Sequence, residues 1–203
     1  MKGICYIVGA GEFYGSFEKR DGDLIIAADG GYDTLKSLGI TPDLLLGDMD
    51  SIVDEKSEVD SIRFPVRKDE TDSFLAYREG VKRGYKKFML YGCVGGRDDH
   101  TFANYSLLIY GKEHGHSIKL VGKGCDAFAI KNEKISLYGV PEKHVSAFAF
   151  GAESKGVSIH GLEYSAKDIT LSPSFPLAVS NRFTEEEAFI EVKSGTLIIM
   201  IEK

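Results

Sequence analysis

Along the first 120 positions, apolar residues fall into short runs separated by stretches with helical spacing. Residues 4–8, 24–28 and 44–46 are continuous apolar runs, each followed at once by Gly or Asp. Residues 62–64, 88–91 and 118–121 are further short segments of the same kind. Runs of this length, closed by turn residues, predict buried strands. Between them, residues 71–83 place Phe74, Tyr77, Arg78 and Val81 at i, i+3, i+4 and i+7, with Arg78 the polar exception and Gly80 a weakness. Acids near its start, bases near its end and Gly84 beyond it complete the signature of a helix. Residues 101–114 predict a second long helix with Phe102, Tyr105 and Ile109 on one face, and residues 32–38 a short one. Strands alternating with helices predict a mainly parallel sheet covered by helices.

After about residue 124 the pattern changes. Apolar runs at 127–131, 135–137, 145–150, 157–159, 169–171, 188–192 and 197–201 follow at close spacing, with turn residues between them. That spacing predicts an antiparallel all-β sandwich or roll. The expected organisation is an α/β domain over residues 1–123 and an all-β domain over 124–203. No repeat period and no low-complexity tract interrupts either part.

Composition narrows the function. The chain has 203 residues, 43% of them apolar and 28% charged, which is ordinary for a globular protein. A net charge of -6 argues against a nucleic-acid partner. The longest apolar runs are five residues, against about 20 needed to cross a bilayer, so no membrane association is expected. The N-terminus reads as a first strand rather than a signal peptide. Three scattered cysteines without a CxxC predict a reducing, cytoplasmic setting and no zinc site.

Aspartate is distributed unevenly. Of 15 aspartates, 13 lie in residues 1–122. Aspartate is poor in helix and strand interiors, so the excess belongs to turns, caps or sites. Asp48 and Asp50, in Gly47-Asp48-Met49-Asp50-Ser51, follow a buried strand two residues apart, and alternate residues of extended chain share a side. Such a pair suits Mg²⁺, which takes one or two carboxylates together with substrate phosphates. A surface turn explains the segment about equally well when it is taken alone. Asp29 also follows a strand, and Asp69 and Asp72 open the helix at 71, where either could serve as N-cap. In an open parallel sheet, sites form beyond the carboxyl ends of strands, so Asp29, Asp48, Asp50 and Asp72 can converge.

Gly95-Gly96-Arg97-Asp98-Asp99-His100 follows another strand and opens the helix at 101. Glycines admit a phosphate close to the backbone, a helix start favours anions, and Arg97 can fork onto phosphate oxygens. A helix capped by Asp99 with a solvated Arg97 is the plainer reading. His100 is a weaker candidate for a base than for a hydrogen-bonding partner. Neither a P-loop nor a GxSxG nucleophile motif is present. Gly9-Ala10-Gly11 with Asp29 roughly 20 residues on is the skeleton of a dinucleotide fingerprint, which keeps a nicotinamide-dependent oxidoreductase open. Its third glycine is missing, since Tyr14 stands there, and no clear helix follows.

Taken in order, AADGG, PDLLLGDMDS, KDETD, GGRDDHTFAN and a late VSN give the whole chain a pattern that resembles the thiamine pyrophosphokinase family. The resemblance implies transfer of the diphosphate of ATP to the hydroxyl of thiamine, with Mg²⁺ as cofactor, ATP and thiamine as substrates, and a homodimer with sites between subunits. It implies Asp48, Asp50 and Asp72 as metal ligands, and Asp29 and Gly30 as the acidic DGG turn. Thr71, Arg97, Asp99, His100 and Asn104 would serve the nucleotide, and Ser180 and Asn181 the thiamine. Asp72 and Asp99 are both candidate bases. Two features depart from the pattern: Asp98 stands where the family usually has an apolar or aromatic residue, and there is no Trp to stack on thiamine, so Phe183 or another ring must serve. A pyrophosphokinase for another small alcohol and a non-catalytic nucleotide sensor are the remaining alternatives.

Overall fold

In the computed structural model, residues 2–47, 59–64 and 69–203 are described. The chain forms two compact units, Met1–Leu107 with Gly115–Lys123, and Leu108–His114 with Gly124–Lys203.

The first unit is built on six parallel strands: β1 (Cys5–Val8), β2 (Leu24–Ala28), β3 (Leu44–Gly47), β4 (Ser61–Arg63), β5 (Lys87–Tyr91) and β6 (Ser117–Val121). Their pairings give the order β6-β5-β1-β2-β3-β4. Every residue of β1, β2 and β3 is buried, which is why these strands read as unbroken apolar runs rather than alternating ones. Helix α1 (Gly31–Ser37) packs on β1 and β2, and α2 (Asp72–Lys82) on β1, β2 and β3. Among residues 9–23 there is neither helix nor strand. Instead, Phe13 and Phe17 close that part of the sheet, with Phe17 stacked on Tyr6 at 4.3 Å and Phe13 on Tyr91 at 4.9 Å between ring centroids.

Both long helices differ from the expected spacing in detail. Thr71, not Asp69 or Asp72, caps α2, its hydroxyl oxygen accepting the Phe74 N–H at 3.3 Å. The buried face of α2 carries Ser73, Ala76, Tyr77 and Gly80, while Arg78 is exposed. Gly80 is there for space: a Cβ would lie 2.6 Å from Phe88 Cε1 and 2.9 Å from Cys5 Sγ. Helix α3 (Asp98–Glu113) starts three residues before position 101, with Asp98 and Asp99 in its first turn. There they oppose the positive end of the helix dipole, a favourable place for residues that are poor in helix interiors. Its buried stripe is Asn104, Leu107, Leu108 and Gly111, and Phe102 is turned outward at 63% exposure.

The second unit is an antiparallel sandwich. One sheet has the order β12-β9-β14-β7, from β12 (Ala178–Arg182), β9 (His144–Ala149), β14 (Thr196–Glu202) and β7 (Cys125–Lys131). The other has the order β11-β10-β13-β8, from β11 (Ala166–Leu171), β10 (Ser154–His160), β13 (Glu187–Glu191) and β8 (Lys134–Tyr138). Alternate residues of both sheets meet in one core, including Val145 and Ala147 of β9, Leu197 and Ile199 of β14, Val157 and Ile159 of β10, and Ile190 of β13. β12 lies where no apolar run marks a strand. Lys112 and Glu113 at the end of α3 pair with Glu133 and Lys131 within this unit.

Candidate nucleotide cleft

Parallel strands deliver their carboxyl ends to one edge. From β1 the chain moves outward through β2 and β3 to β4, then returns to place β5 on the other side of β1. The change of direction between β1 and β5 is the position where such sheets open a crevice. A cleft of about 350 Å³ lies there, built wholly from the first unit. Gly9, Ala10 and Gly11 after β1, Asp29 after β2, and Gly92, Cys93 and Val94 after β5 supply its floor. Asp72 and Ser73 come from the start of α2, and Gly96, Arg97, His100, Thr101 and Asn104 from the start of α3.

The glycines of the first turn have a packing explanation. Gly9 N–H donates to the Tyr91 carbonyl at 2.8 Å and Gly11 N–H to the Gly92 carbonyl at 2.9 Å. A Cβ on Gly9 or Gly11 would come within 2.7 or 2.8 Å of the Gly92 carbonyl oxygen, and Gly92 itself has φ +61°. The Gly-Ala-Gly turn therefore seats the 91–92 turn against it. With no helix after Gly11, the dinucleotide fingerprint lacks the helix N-terminus that would bind a pyrophosphate, and the oxidoreductase reading loses its support.

Asp29 has φ +50°, and its N–H donates to the Leu46 carbonyl at 2.8 Å, so it continues the β2–β3 ladder by one step before turning. Asp29 lines the cleft together with Asp72. Gly30 is the N-cap of α1, adjoins Ala10 and is not part of the lining. Asp48 and Asp50 lie outside the described residues. Thr71 caps α2 and is not part of the lining.

Arg97 and Asp99 form an exposed ion pair, with Nε donating to Oδ1 at 3.1 Å and Nη2 to Oδ2 at 2.6 Å. Asp99 also accepts the His100 N–H at 3.0 Å. The Arg97 guanidinium holds the Asp99 carboxyl below the usual carboxylate range, and Asp99 in turn raises Arg97. Arg97 and His100 line the cleft, whereas Asp99 does not. Of the two candidate bases, Asp72 therefore has the better position. Asp99 sits inside the first turn of α3 and is not its cap.

Asn104 is 5% exposed with a protein partner at each polar end: Nδ2 donates to the Cys93 carbonyl at 2.8 Å, and Oδ1 accepts from Ser73 Oγ at 2.6 Å. Ser73, Cys93 and Thr101 are not among the expected site residues, and all three line the cleft. Thr101 Oγ1 accepts the Gly95 N–H at 3.3 Å, which ties the glycine loop to α3. Burial pushes the Cys93 thiol up to about 12.

The acceptor-side candidates belong to the second unit. Asn181 is buried, its Oδ1 accepting the N–H groups of Tyr164 at 2.9 Å and Arg182 at 3.0 Å, while Nδ2 donates to the Tyr164 carbonyl at 2.8 Å. Its side chain is thus committed to fixing the Tyr164 turn on β12. Ser180 is exposed with φ +56°, and its N–H donates to Ser146 Oγ at 3.0 Å. Phe183 is 1% exposed within the sandwich core, so it offers no face to a ligand. The most open rings of this unit are Tyr138, Tyr164 and Phe175, at 72%, 67% and 66% exposure.

Two family descriptions match most of the chain: thiamin pyrophosphokinase, catalytic domain, over residues 18–120, and thiamin pyrophosphokinase, vitamin B1 binding domain, over 130–197. A thiamine pyrophosphokinase of Bacillus subtilis is 24% identical over 184 residues, covering 87% of this chain and 86% of that protein. Among solved structures, a thiamine pyrophosphokinase from Bacillus subtilis superposes with TM-score 0.88 at 21% identity, covering 99% of each chain. A thiamin pyrophosphokinase from Geobacillus thermodenitrificans does so with TM-score 0.86 at 22% identity, covering 98% of this chain and 97% of that one.

Proposed function

Because this chain belongs to the thiamin pyrophosphokinase family, we propose how its residues carry out the reaction of that family, ATP plus thiamine giving thiamine diphosphate and AMP. The hydroxyl oxygen of thiamine bonds to the β-phosphorus as the bond from that phosphorus to the α,β-bridging oxygen breaks. AMP leaves with the electron pair, and the hydroxyl proton passes to a carboxylate. Transfer of this kind asks a protein mainly for alignment and charge compensation. The observation that carries the reading is the meeting of Asp29, Asp72, Arg97 and His100 in one cleft at the β1–β5 crossover.

In this assignment the glycine-rich backbone of 9–11 and 92–96 makes room for the triphosphate. Arg97 turns from Asp99 to fork onto phosphate oxygens, and Asp99 steadies it in the resting site. Asp72 takes the hydroxyl proton or holds the metal. Two carboxylates on one cleft, Asp29 and Asp72, are hard oxygen donors of the kind Mg²⁺ prefers, and Asp48 and Asp50 are assigned to the same ion on sequence grounds. When bound, Mg²⁺ supplies positive charge for the phosphate oxygens. Thr71 and Gly30 support these groups from outside the lining, and Asn104 from within it.

Thiamine is assigned to the all-β domain, 124–203, beside Ser180, with Tyr164 or Phe175 as the aromatic face for its cationic ring. ATP is assigned to the α/β domain, 1–123. A homodimer in the cytoplasm, acting on these two small molecules, completes the proposal. Among the described residues no helix is long and apolar enough to cross a membrane. The test is AMP release from ATP by the purified protein. It should depend on thiamine and stop when a chelator removes divalent ions. AMP release driven by another alcohol would redirect the assignment to a related acceptor, and nucleotide binding without any turnover would leave a sensor.

A further inference from the structure

Four polar groups in and beside the cleft wall form a chain whose hydrogen-bond directions are all forced. The Cys93 carbonyl can only accept, so the Asn104 amide must present Nδ2 to it, at 2.8 Å. That orientation turns Oδ1 toward Ser73, whose single hydroxyl proton is spent on it at 2.6 Å. Thr71 Oγ1, 3.2 Å from Ser73 Oγ, must then donate to it, while accepting the Phe74 N–H at 3.3 Å. Ser73 and Asn104 are 8% and 5% exposed, so water offers little substitute for a lost partner. The chain links three separate walls of the cleft: the cap of α2, the first turns of α3, and the turn after β5.

We propose that Ser73 and Asn104 act as a clamp that sets the separation of these walls, making both of them positioning residues for the nucleotide. This rests on the nucleotide reading of the cleft. Each polar end of the Asn104 side chain has a protein partner, so although Asn104 also lines the cleft, its part in the clamp is to hold Ser73 and the Cys93 turn in place. Ser73 precedes no glycine, follows no recognised spacing and sits mid-turn in a helix. Its role comes from the fold alone.

The test is a double-variant cycle with Ser73→Ala, Asn104→Ala and the pair together. Either single change should raise the KM for ATP about 3- to 10-fold, in the range for one or two buried hydrogen bonds, and leave the KM for thiamine unchanged. The pair should be no worse than the poorer single variant, because both changes break the same unit. A fall in kcat with both KM values unaltered would mean only that less protein is folded, and would overturn the clamp. Additive losses, or a loss confined to Asn104→Ala, would make Asn104 a direct ligand contact and overturn it as well. Amide exchange in ligand-free protein gives a readout that needs no nucleotide. Both single variants should speed exchange at Phe74 and Leu75, and an unchanged α2 in Asn104→Ala would refute the coupling. If unaltered protein binds neither ATP nor AMP, the nucleotide reading fails, while the exchange result still decides the clamp.

Discussion

Arg97 grips both carboxylate oxygens of Asp99 across one residue of sequence, at 3.1 and 2.6 Å. The pair is exposed and its partner is an arginine, so the carboxyl of Asp99 is held below the ordinary value near 3.9. A depressed carboxyl contributes to the folded state above its unfolded pKa and loses that contribution as pH falls through the lower folded value. That window lies below about pH 4. Across pH 5–9 Asp99 stays ionised. The acid limb of kcat/KM should therefore keep its midpoint in Asp99→Asn, even if the rate falls because Arg97 is released. A shifted midpoint would identify Asp99 as the titrating base.

Asp72 shares the cleft with Asp29 and opens α2 just after its Thr71 cap. Asp72→Asn keeps the shape and removes the charge. Turnover should drop roughly 10²-fold or more, the scale of losing one preorganised electrostatic contact at a transition state. Melting should change little, since Thr71 and not Asp72 holds the cap. Asp48→Asn and Asp50→Asn should show the same loss. Near-normal rates in these variants would return the carboxylates to ordinary turn positions.

Ser180 and Asn181 are neighbours with opposite expectations. Asn181→Ala leaves the Tyr164 N–H and carbonyl without their buried partner and should cost about 1–3 kcal/mol in denaturant unfolding. Ser180→Ala should leave stability unaltered and raise the thiamine KM about 2- to 12-fold, the value of one neutral hydrogen bond. Equal effects of Ser180→Ala on the KM for ATP and for thiamine would remove it from the acceptor side.

Gly80→Ala sets two effects of opposite sign against each other. Helix propensity favours alanine by about 1 kcal/mol. Against this, the new Cβ would meet the Phe88 ring at 2.6 Å and Cys5 Sγ at 2.9 Å, and overpacking of this kind costs about 1–3 kcal/mol. The overlap should win, giving a lower midpoint in chemical denaturation. A more stable variant would show that β1 and β5 can shift to accept a methyl group.

The two-part architecture was legible because its signals are local. Unbroken apolar runs at β1, β2 and β3 require burial on both faces, and the close-set runs of the second unit require two sheets. Asp29, Asp72 and Arg97 were legible because strand ends and helix starts of a parallel sheet share one edge. What escaped depends on contacts between distant segments. Phe102 faces solvent although it fits the expected stripe, because α3 presents Asn104, Leu107 and Leu108 inward. β12 carries Ser180-Asn181 and reads as a loop, yet it pairs with β9, and Phe183 beyond it is core. Ser73 meets Asn104 across 31 positions, a relation no spacing rule contains.

β1 ends up with neighbours that arrive at very different times. Cys5 pairs with Leu24 on one side and with Phe88 on the other, 83 positions later. At a synthesis rate of about 5–20 residues per second, the second neighbour follows after roughly 4–17 seconds. Until then a wholly apolar strand waits with one edge unpaired, and the Gly9–Gly11 turn has no 91–92 turn to seat. The cleft lined by residues 9–11 is complete only once β5 and the start of α3 have emerged, and until then β1 keeps an apolar edge that its second partner strand has yet to cover.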